Sequence, residues 1–380
     1  FPQPLIAEID MSRGCARYFT GGCSFCIEPM YGKPFYRDPE DVIKEIGELG
    51  KNGVTNFRLG GQACFFCYDA EGIGETETPE PNPSRIEKLL MGIHNVSPNL
   101  RVLHTDNADP AVIAAHPDKS KEVLKLLVRY CTSGNVLSFG MESADPKVIE
   151  KNNLNAQSED VMKAIEIVNS VGAVRGPTGL PALLPGINFI SGLDGETKKT
   201  FEHNFRFLKS VLDSGLLLRR INIRQVLEVR GKFPVRKHYK EFRRFKEKVR
   251  EEIDRPMLER VVPKKTVMKD VYMELARGKT TFGRQIGSYP ILIGIPYKTE
   301  LDEFLRVIIV DHGRRSITGI EHPLDVNAAS LDALASIPGI GSKRAARIFR
   351  SRPIRSKDDF ISSLDDESVA EHAFEYVSIC

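Results

Sequence analysis

Residues 5–235 alternate short apolar runs with amphipathic stretches, and few folds accept that pattern. The runs are Leu5–Met11, Thr55–Leu59, Arg101–Thr105, Val136–Met141, Ile187–Ser191 and Arg220–Val226. Between them lie Asp38–Leu49, Pro83–His94, Lys121–Cys131, Ser158–Val171 and Glu196–Leu212, with apolar residues at helical spacing. Strands separated by helices pair in parallel through crossover connections. The fold class is therefore α/β. Six such units form an open, partial (β/α)6 barrel over residues 1–235. A doubly wound open sheet fits the same periodicity, and the pattern alone does not choose between them.

Past residue 235 the character changes. Residues 236–277 read as a basic helical linker, in which Tyr239, Phe242, Phe245, Val249 and Ile253 recur at helical spacing. Glycines and prolines then punctuate short β-type runs over 278–324, of which Val307–Val310 is the clearest, and a small barrel of about five strands fits. The last segment, 325–380, reads helix, glycine turn, helix around Pro338-Gly339-Ile340-Gly341.

Net charge is only +3, but it is segregated. From Arg219 to Lys265 there are 17 Lys or Arg against 7 Asp or Glu, and Lys343–Lys357 holds seven basic residues and no acidic one. Such asymmetry points to a polyanion-facing surface, with a solvated charged face as the plainer reading. No apolar run approaches the ~20 residues that cross a bilayer, and no secretory leader is visible, so neither a membrane partner nor secretion is expected. The chain opens at Phe1 rather than Met, almost on its first strand, which fits a piece of a longer protein.

The seven cysteines are Cys15, Cys23, Cys26, Cys64, Cys67, Cys131 and Cys380. An odd count without a leader argues against a disulfide framework, and five of them between residues 15 and 67 favour metal or cluster ligation in a reducing cytoplasm. Cys15, Cys23 and Cys26 follow the first strand directly. Soft thiolates are the usual ligands of iron–sulfur clusters and of zinc. Three of them without a fourth nearby leave a metal position open for chemistry. A zinc knob would need a fourth ligand, and no His lies in this loop; unliganded thiols are the remaining alternative.

With these residues in view, the sequence resembles the radical S-adenosylmethionine (radical SAM) superfamily, and within it the methylthiotransferase and Elongator-like branches. Cys23-Ser24-Phe25-Cys26 matches the second half of the family's CxxxCxxC loop, while seven residues rather than three separate Cys15 from Cys23. Gly60-Gly61-Gln62 resembles the Gly-Gly-Glu motif that holds the SAM amino group, with a neutral amide in place of the carboxylate. Gly140-Met141-Glu142-Ser143 is similar to a Gly-Leu-Glu-Ser run whose polar groups contact SAM, and Ile190–Glu196 is similar to Ile-Val-Gly-Phe-Pro-Gly-Glu. The resemblance covers roughly residues 5–235.

It implies a [4Fe–4S] cluster held by Cys15, Cys23 and Cys26, with SAM on its fourth iron, contacted by Phe25, Gly60, Gly61, Gln62, Glu142, Ser143 and Ile190. Reductive cleavage of SAM would give a 5′-deoxyadenosyl radical, with an electron-donor protein as partner. Cys64 and Cys67 follow strand two at the same face as His104 and Asp106. They fit a second iron–sulfur cluster or metal, a redox pair, or two half-buried thiols in an aromatic loop. Residues 278–321 resemble a TRAM domain, and Ile337–Gly341 with Lys343 and Arg344 resembles a helix–hairpin–helix, whose Gly339 and Gly341 let backbone approach a phosphate. The expected function is RNA modification, tRNA foremost and methylthiolation among the reactions. The rivals are a radical SAM enzyme acting on DNA, a small molecule or a protein, and a non-enzymatic zinc-containing nucleic-acid module.

Overall fold

The computed structural model describes residues 4–234 and 237–379, so Cys380 lies outside it. The chain forms two compact units. The first comprises 1–176, 180–257 and 287–289, and the second 177–179, 258–286 and 290–380.

Six parallel strands build the first unit: β1 (Ala7–Asp10), β2 (Asn56–Gly60), β3 (Val102–Thr105), β4 (Asn135–Glu142), β5 (Leu183–Ser191) and β6 (Arg220–Gln225). β1 pairs with β2 and β2 with β3; after β3 a two-residue continuation, Asn107–Ala108, pairs instead with β4, which leads to β5 and β6. The kink at Asp106 thus carries one three-stranded and one four-stranded sheet round a single arc, left open between β6 and β1. This is the partial barrel, not the doubly wound sheet.

Alternation fixes which side chains face the lumen. On β2, Phe57 and Leu59 are fully buried against the helices, while Arg58 stands in register with Glu8 and His104 on the other face. Further round, Asn222 Nδ2 donates to Asn188 Oδ1 (3.0 Å) and Asn188 Nδ2 to Ser138 Oγ (3.0 Å). These amides and this hydroxyl satisfy one another across three strands, as buried polar groups ordinarily do.

The helices α1 (Pro39–Lys51), α2 (Pro83–Val96), α3 (Pro117–Tyr130), α4 (Pro146–Lys151), α5 (Ser158–Gly172), α6 (Lys198–Asp213) and α7 (Tyr239–Val249) belong to this unit. Each longer one buries an i, i+3, i+4 stripe, such as Ile86, Leu89, Leu90 and Ile93 of α2. Proline opens α1 to α4, and Asn82 Oδ1 caps α2 by accepting from Arg85 N (3.2 Å). In α7, Phe242, Phe245 and Val249 are buried as their spacing predicts, but Tyr239 is exposed, and a π-helical turn at Arg250–Asp254 carries Ile253 inward.

Three residues remote in sequence complete this unit. Ser288 N donates to buried His104 Nδ1 (2.9 Å), Tyr289 OH to Asp106 Oδ1 (2.6 Å), and Arg219 Nη2 to Tyr289 O (2.7 Å), while Arg220 stacks 3.8 Å over the Tyr289 ring.

The second unit is a closed barrel of β7 (Val267–Arg277), β8 (Thr280–Gln285), β9 (Leu292–Ile295), β10 (Phe304–His312) and β11 (Ser316–Glu321). Its order is β7-β8-β9-β11-β10, with β9 and β11 the parallel pair. The barrel therefore begins at Val267, inside the stretch read as linker. The sequence VMKDVYMELAR mixes charges among its apolar residues because only one face of β7 is interior, and that masked it. Two short helical hairpins follow, α8 (Leu331–Ala335) with α9 (Gly341–Arg350), and α10 (Lys357–Ser362) with α11 (Glu367–Phe374), packed on Leu334, Ile348 and Phe360.

Gly172, at the end of α5, sits so close to β5 that a Cβ there would lie 2.2 Å from Leu183 O. A helix Gly→Ala change ordinarily stabilises by up to about 1 kcal/mol. Backbone cannot yield as a side-chain tip can, and overpacking costs roughly 1–3 kcal/mol. Gly172→Ala should therefore lower the urea midpoint; a raised midpoint would show the contact to be slack.

Candidate functional site

The loop after β1 is tied at both ends. Ser12–Arg13 pairs antiparallel with Phe35–Tyr36, closing residues 14–34 into an excursion from the end of the strand. Gly14 (φ +94°) sits where a Cβ would meet Pro34 Cα at 2.9 Å, and Gly22 (φ +58°) where one would meet Pro29 Cγ at 2.3 Å. Within the excursion Cys15 caps a 3-10 turn, its Sγ accepting from Arg17 N (3.5 Å), and Cys26 N donates to Cys23 O (3.0 Å). Ser24 anchors the loop to Asn152 through N–H to O (2.9 Å) and Oγ to Oδ1 (2.8 Å).

Arg17 is the brace that sequence reasoning missed. Its side chain is buried; Nη1 donates to Cys23 Sγ (3.5 Å) and Asn153 O (2.8 Å), Nη2 to Asn153 Oδ1 (3.1 Å), and Nε to Glu77 Oε1 (3.2 Å). Arg230 adds a second clamp, to Gly21 O (2.7 Å) and Cys23 O (3.2 Å). A charged residue between two cysteines was the available signal for Arg17; nothing local marked Arg230.

Burial pushes the Cys15 thiol up to about 11 and Cys23 up to about 12, Arg17 pulling both back, and burial raises Cys26 as well. Thiolates in such a place need a metal's charge to form. Among the described residues no three His, Cys, Asp or Glu gather round one point, as a single zinc ion would require. A four-iron cluster asks for something else: each thiolate takes a different iron, so the sulfurs stand apart by the width of the cluster. Cys15, Cys23 and Cys26 are free, and Cys15 and Cys23 each feel the charge of Cys26, a set of three soft donors of the kind such a cluster takes.

Beside them the strand ends gather buried negative charge. β4 bends at Glu142 (φ 61°), whose carboxyl is pushed up to about 8 by burial and whose Oε2 is buried without a partner. Gly140 makes way for it, since a Cβ there would lie 2.9 Å from Glu142 Oε1. Cβ atoms at Gly60 and Gly61 would lie 2.2 Å from Glu8 Oε1 and 2.0 Å from Asp10 Oδ1, so the glycine pair borders two carboxylates that the sequence did not single out. Phe25, Ile190 and Cys23 pack together on the apolar cluster of Val148, Ile149, Leu154, Leu193 and Val226. An orphaned carboxylate, a glycine cradle and an apolar floor suit the ammonium, sulfonium and adenine of SAM.

Gln62 is buried, its Nε2 donating to Leu59 O (3.1 Å). One expected contact is turned elsewhere. Ser143 Oγ accepts from Asp145 N (3.1 Å), a turn-forming role that keeps it fully buried. His104 is equally structural: burial lowers its imidazole to about 4, and both ring nitrogens are engaged, by Ser288 N and Thr132 O. Asp106 is bound to Arg58 and Tyr289.

Cys64 and Cys67 lie on a 3-10 turn after β2, both buried and hydrogen-bonded to each other. With Cys15, Tyr36 and Asp109 they line a void of about 30 Å³, room for a water molecule. Asp109 N donates to Cys64 Sγ (3.3 Å), and burial raises the Asp109 carboxyl, which Asn155 holds at 2.5 Å.

In the second unit, Gly339 (φ +84°) and Gly341 (φ +56°) form the turn between α8 and α9, and no side chain caps the start of α9. Lys343 is exposed there. Arg344, expected on a phosphate, is tied within the hairpins: its guanidinium binds Asp365 (2.7 Å), from the acidic turn of the second hairpin, and Gly339 O (2.8 Å).

The Radical SAM superfamily model matches residues 9–208. The protein MJ0274 of Methanocaldococcus jannaschii is 55% identical over 83% of this chain and 60% of its own length. A protein of Archaeoglobus fulgidus is 45% identical over 94% of this chain and 66% of its own. A tRNA-2-methylthio-N(6)-dimethylallyladenosine synthase of Clostridium novyi is 24% identical over 54% of this chain and 39% of its own. The chain thus spans about 60–66% of the first two relatives.

Two outcomes follow. The unfolded Glu142 carboxyl titrates near 4.5 and the folded one near 8, so the folded, metal-free protein loses stability as pH rises between those values. Glu142→Gln should raise its melting temperature at pH 8 and leave it unchanged at pH 4; equal melting at both would show the carboxylate to be solvated. Cys64→Ala/Cys67→Ala should keep the full iron content of the reconstituted protein, whereas loss of about half would assign that pair to a second cluster.

Proposed function

The chain belongs to the radical SAM superfamily, and on that premise we propose that it modifies RNA, with tRNA the first substrate to test. Its cofactors are a [4Fe–4S] cluster and SAM. Cys15, Cys23 and Cys26 would hold the cluster; when bound, the pair supplies a carbon-centred radical by reductive cleavage of the sulfonium. The chain's own residues position and shield it. Arg17 donates to the Cys23 sulfur, a contact of the kind that tunes cluster potential. Glu142, whose Oε2 has no partner, would accept from the SAM, and Phe25 with Ile190 would keep water from one side of it.

The observation that carries the RNA reading is the second unit: a five-stranded barrel joined to a glycine-turned hairpin with free N–H groups and exposed Lys343 at the start of α9. Small barrels of this size serve as oligonucleotide platforms, and such N–H groups accept phosphate without reading sequence. The likeness to tRNA methylthiotransferases over half the chain supports tRNA as the target and methylthiolation as the group transfer. A reducing compartment and an electron-donor protein belong to this reading.

Mass spectrometry of ribonucleosides from a strain lacking the gene tests it. One tRNA nucleoside should be missing and return on complementation. Unchanged RNA, with altered DNA or metabolites, would transfer the activity to those substrates. Zinc without iron in anaerobically reconstituted protein would remove the enzyme altogether.

A further inference from the structure

One cationic region of the first unit takes no part in the site above. Two adjoining grooves open there, of about 710 and 690 Å³, and Lys198 lines both. The first lies at the start of α6 and is walled by Lys147, Lys199, Lys237, His203 and His238. Its two carboxylates are turned inward: Asp145 accepts from Lys147 N (3.1 Å) and Thr200 Oγ1 (2.5 Å), and Glu196 from Gly192 N (2.9 Å) and Ser191 Oγ (3.2 Å). The second groove continues between α6 and α7 past Arg206, Arg244 and Lys248, with Lys248 Nζ 3.8 Å from the centre of the Phe205 ring.

Some of this charge is already met. Lys198 pairs with Glu241 (3.0 Å) and Arg206 with Glu202 (3.6 Å). Lys147, Lys199, Lys237 and Arg244 are exposed and make no ion pair among the described residues. These cations do not converge as a site for one small anion would. They are strung along the groove: Lys198 to Arg206 alone covers about 12 Å of helix. The arrangement matches repeated charges on a polymer, and the Phe205 ring holds the Lys248 ammonium in the groove. The groove also has a direction. It starts at Asp145 and Glu196, in the turns that follow the ends of β4 and β5, and runs along α6 from there.

We propose that this groove binds the phosphate backbone of RNA on the catalytic unit itself, independently of the second unit. The proposal rests on the RNA reading given above and adds where the strand runs.

The test uses the full chain and bulk tRNA, with binding measured by fluorescence anisotropy across a series of salt concentrations. In K199Q/K237Q/R244Q, three phosphate contacts are removed. The slope of log affinity against log salt should flatten by about 2, at roughly 0.7–0.9 per contact, and affinity at low salt should fall about 10- to 100-fold. Circular dichroism and iron content check that the variant is folded, and K147Q/K199Q gives a milder version of the same readout. An unchanged slope and affinity in either folded variant overturns the groove, even where the deletion strain lacks its tRNA nucleoside. Wild-type protein that binds no tRNA, together with normal nucleosides in that strain, removes the RNA reading and the groove with it.

Discussion

A buried guanidinium is the chief brace between the reactive loop and its scaffold. Arg17 reaches the backbone and side chain of Asn153 on one side and the sulfur of Cys23 on the other, with Glu77 as counter-charge. Nearly all its donors are directed, which is the condition under which a buried charge is tolerated. Because Asn153 belongs to the turn after α4, the loop carrying three thiols is registered against the end of β4 rather than left to its own glycines. The position of Glu142 relative to Cys23 follows from that registration, and so does the apolar floor of Phe25 and Ile190.

The same economy governs the strand ends. Glycines at 60, 61 and 140 each border a carboxylate oxygen at a distance no Cβ could share. Their missing side chains let those carboxylates lie against the backbone, in the part of the barrel where the strands run out. Folds of this type put chemistry at those ends because the loops there are free to vary while the sheet stays fixed. Here the sheet contributes the carboxylates Glu8 and Asp10, and the loops contribute the sulfurs.

Much of this was legible in the sequence, for a physical reason. Period-two and period-3.6 patterns report burial, and the six strands and their helices are buried on predictable faces. The cysteine loop was legible because thiols, aromatics and glycines carry their chemistry in their identity. What stayed hidden depends on distant partners. Strand β7 looked like linker because half its residues face water. Arg344 looked like a phosphate hook because nothing local announces Asp365. Gln62 and Ser143 were placed correctly at strand ends, but their hydrogen bonds go to Leu59 and Asp145, and only three dimensions show it. Glu8 and Asp10 were overlooked because a carboxylate on a first strand is ordinary until the glycine opposite it is seen.

The three residues Gly287, Ser288 and Tyr289 bear on how the molecule can be divided. They lie far along the chain, yet they supply partners to His104, Asp106 and Arg219 and a ring for Arg220. An expression piece cut after residue 257 would strip one of its two hydrogen bonds from the buried imidazole and take the Tyr289 ring from Arg220. The barrel is therefore not an excisable module: its boundary in space includes residues that its boundary in sequence leaves out.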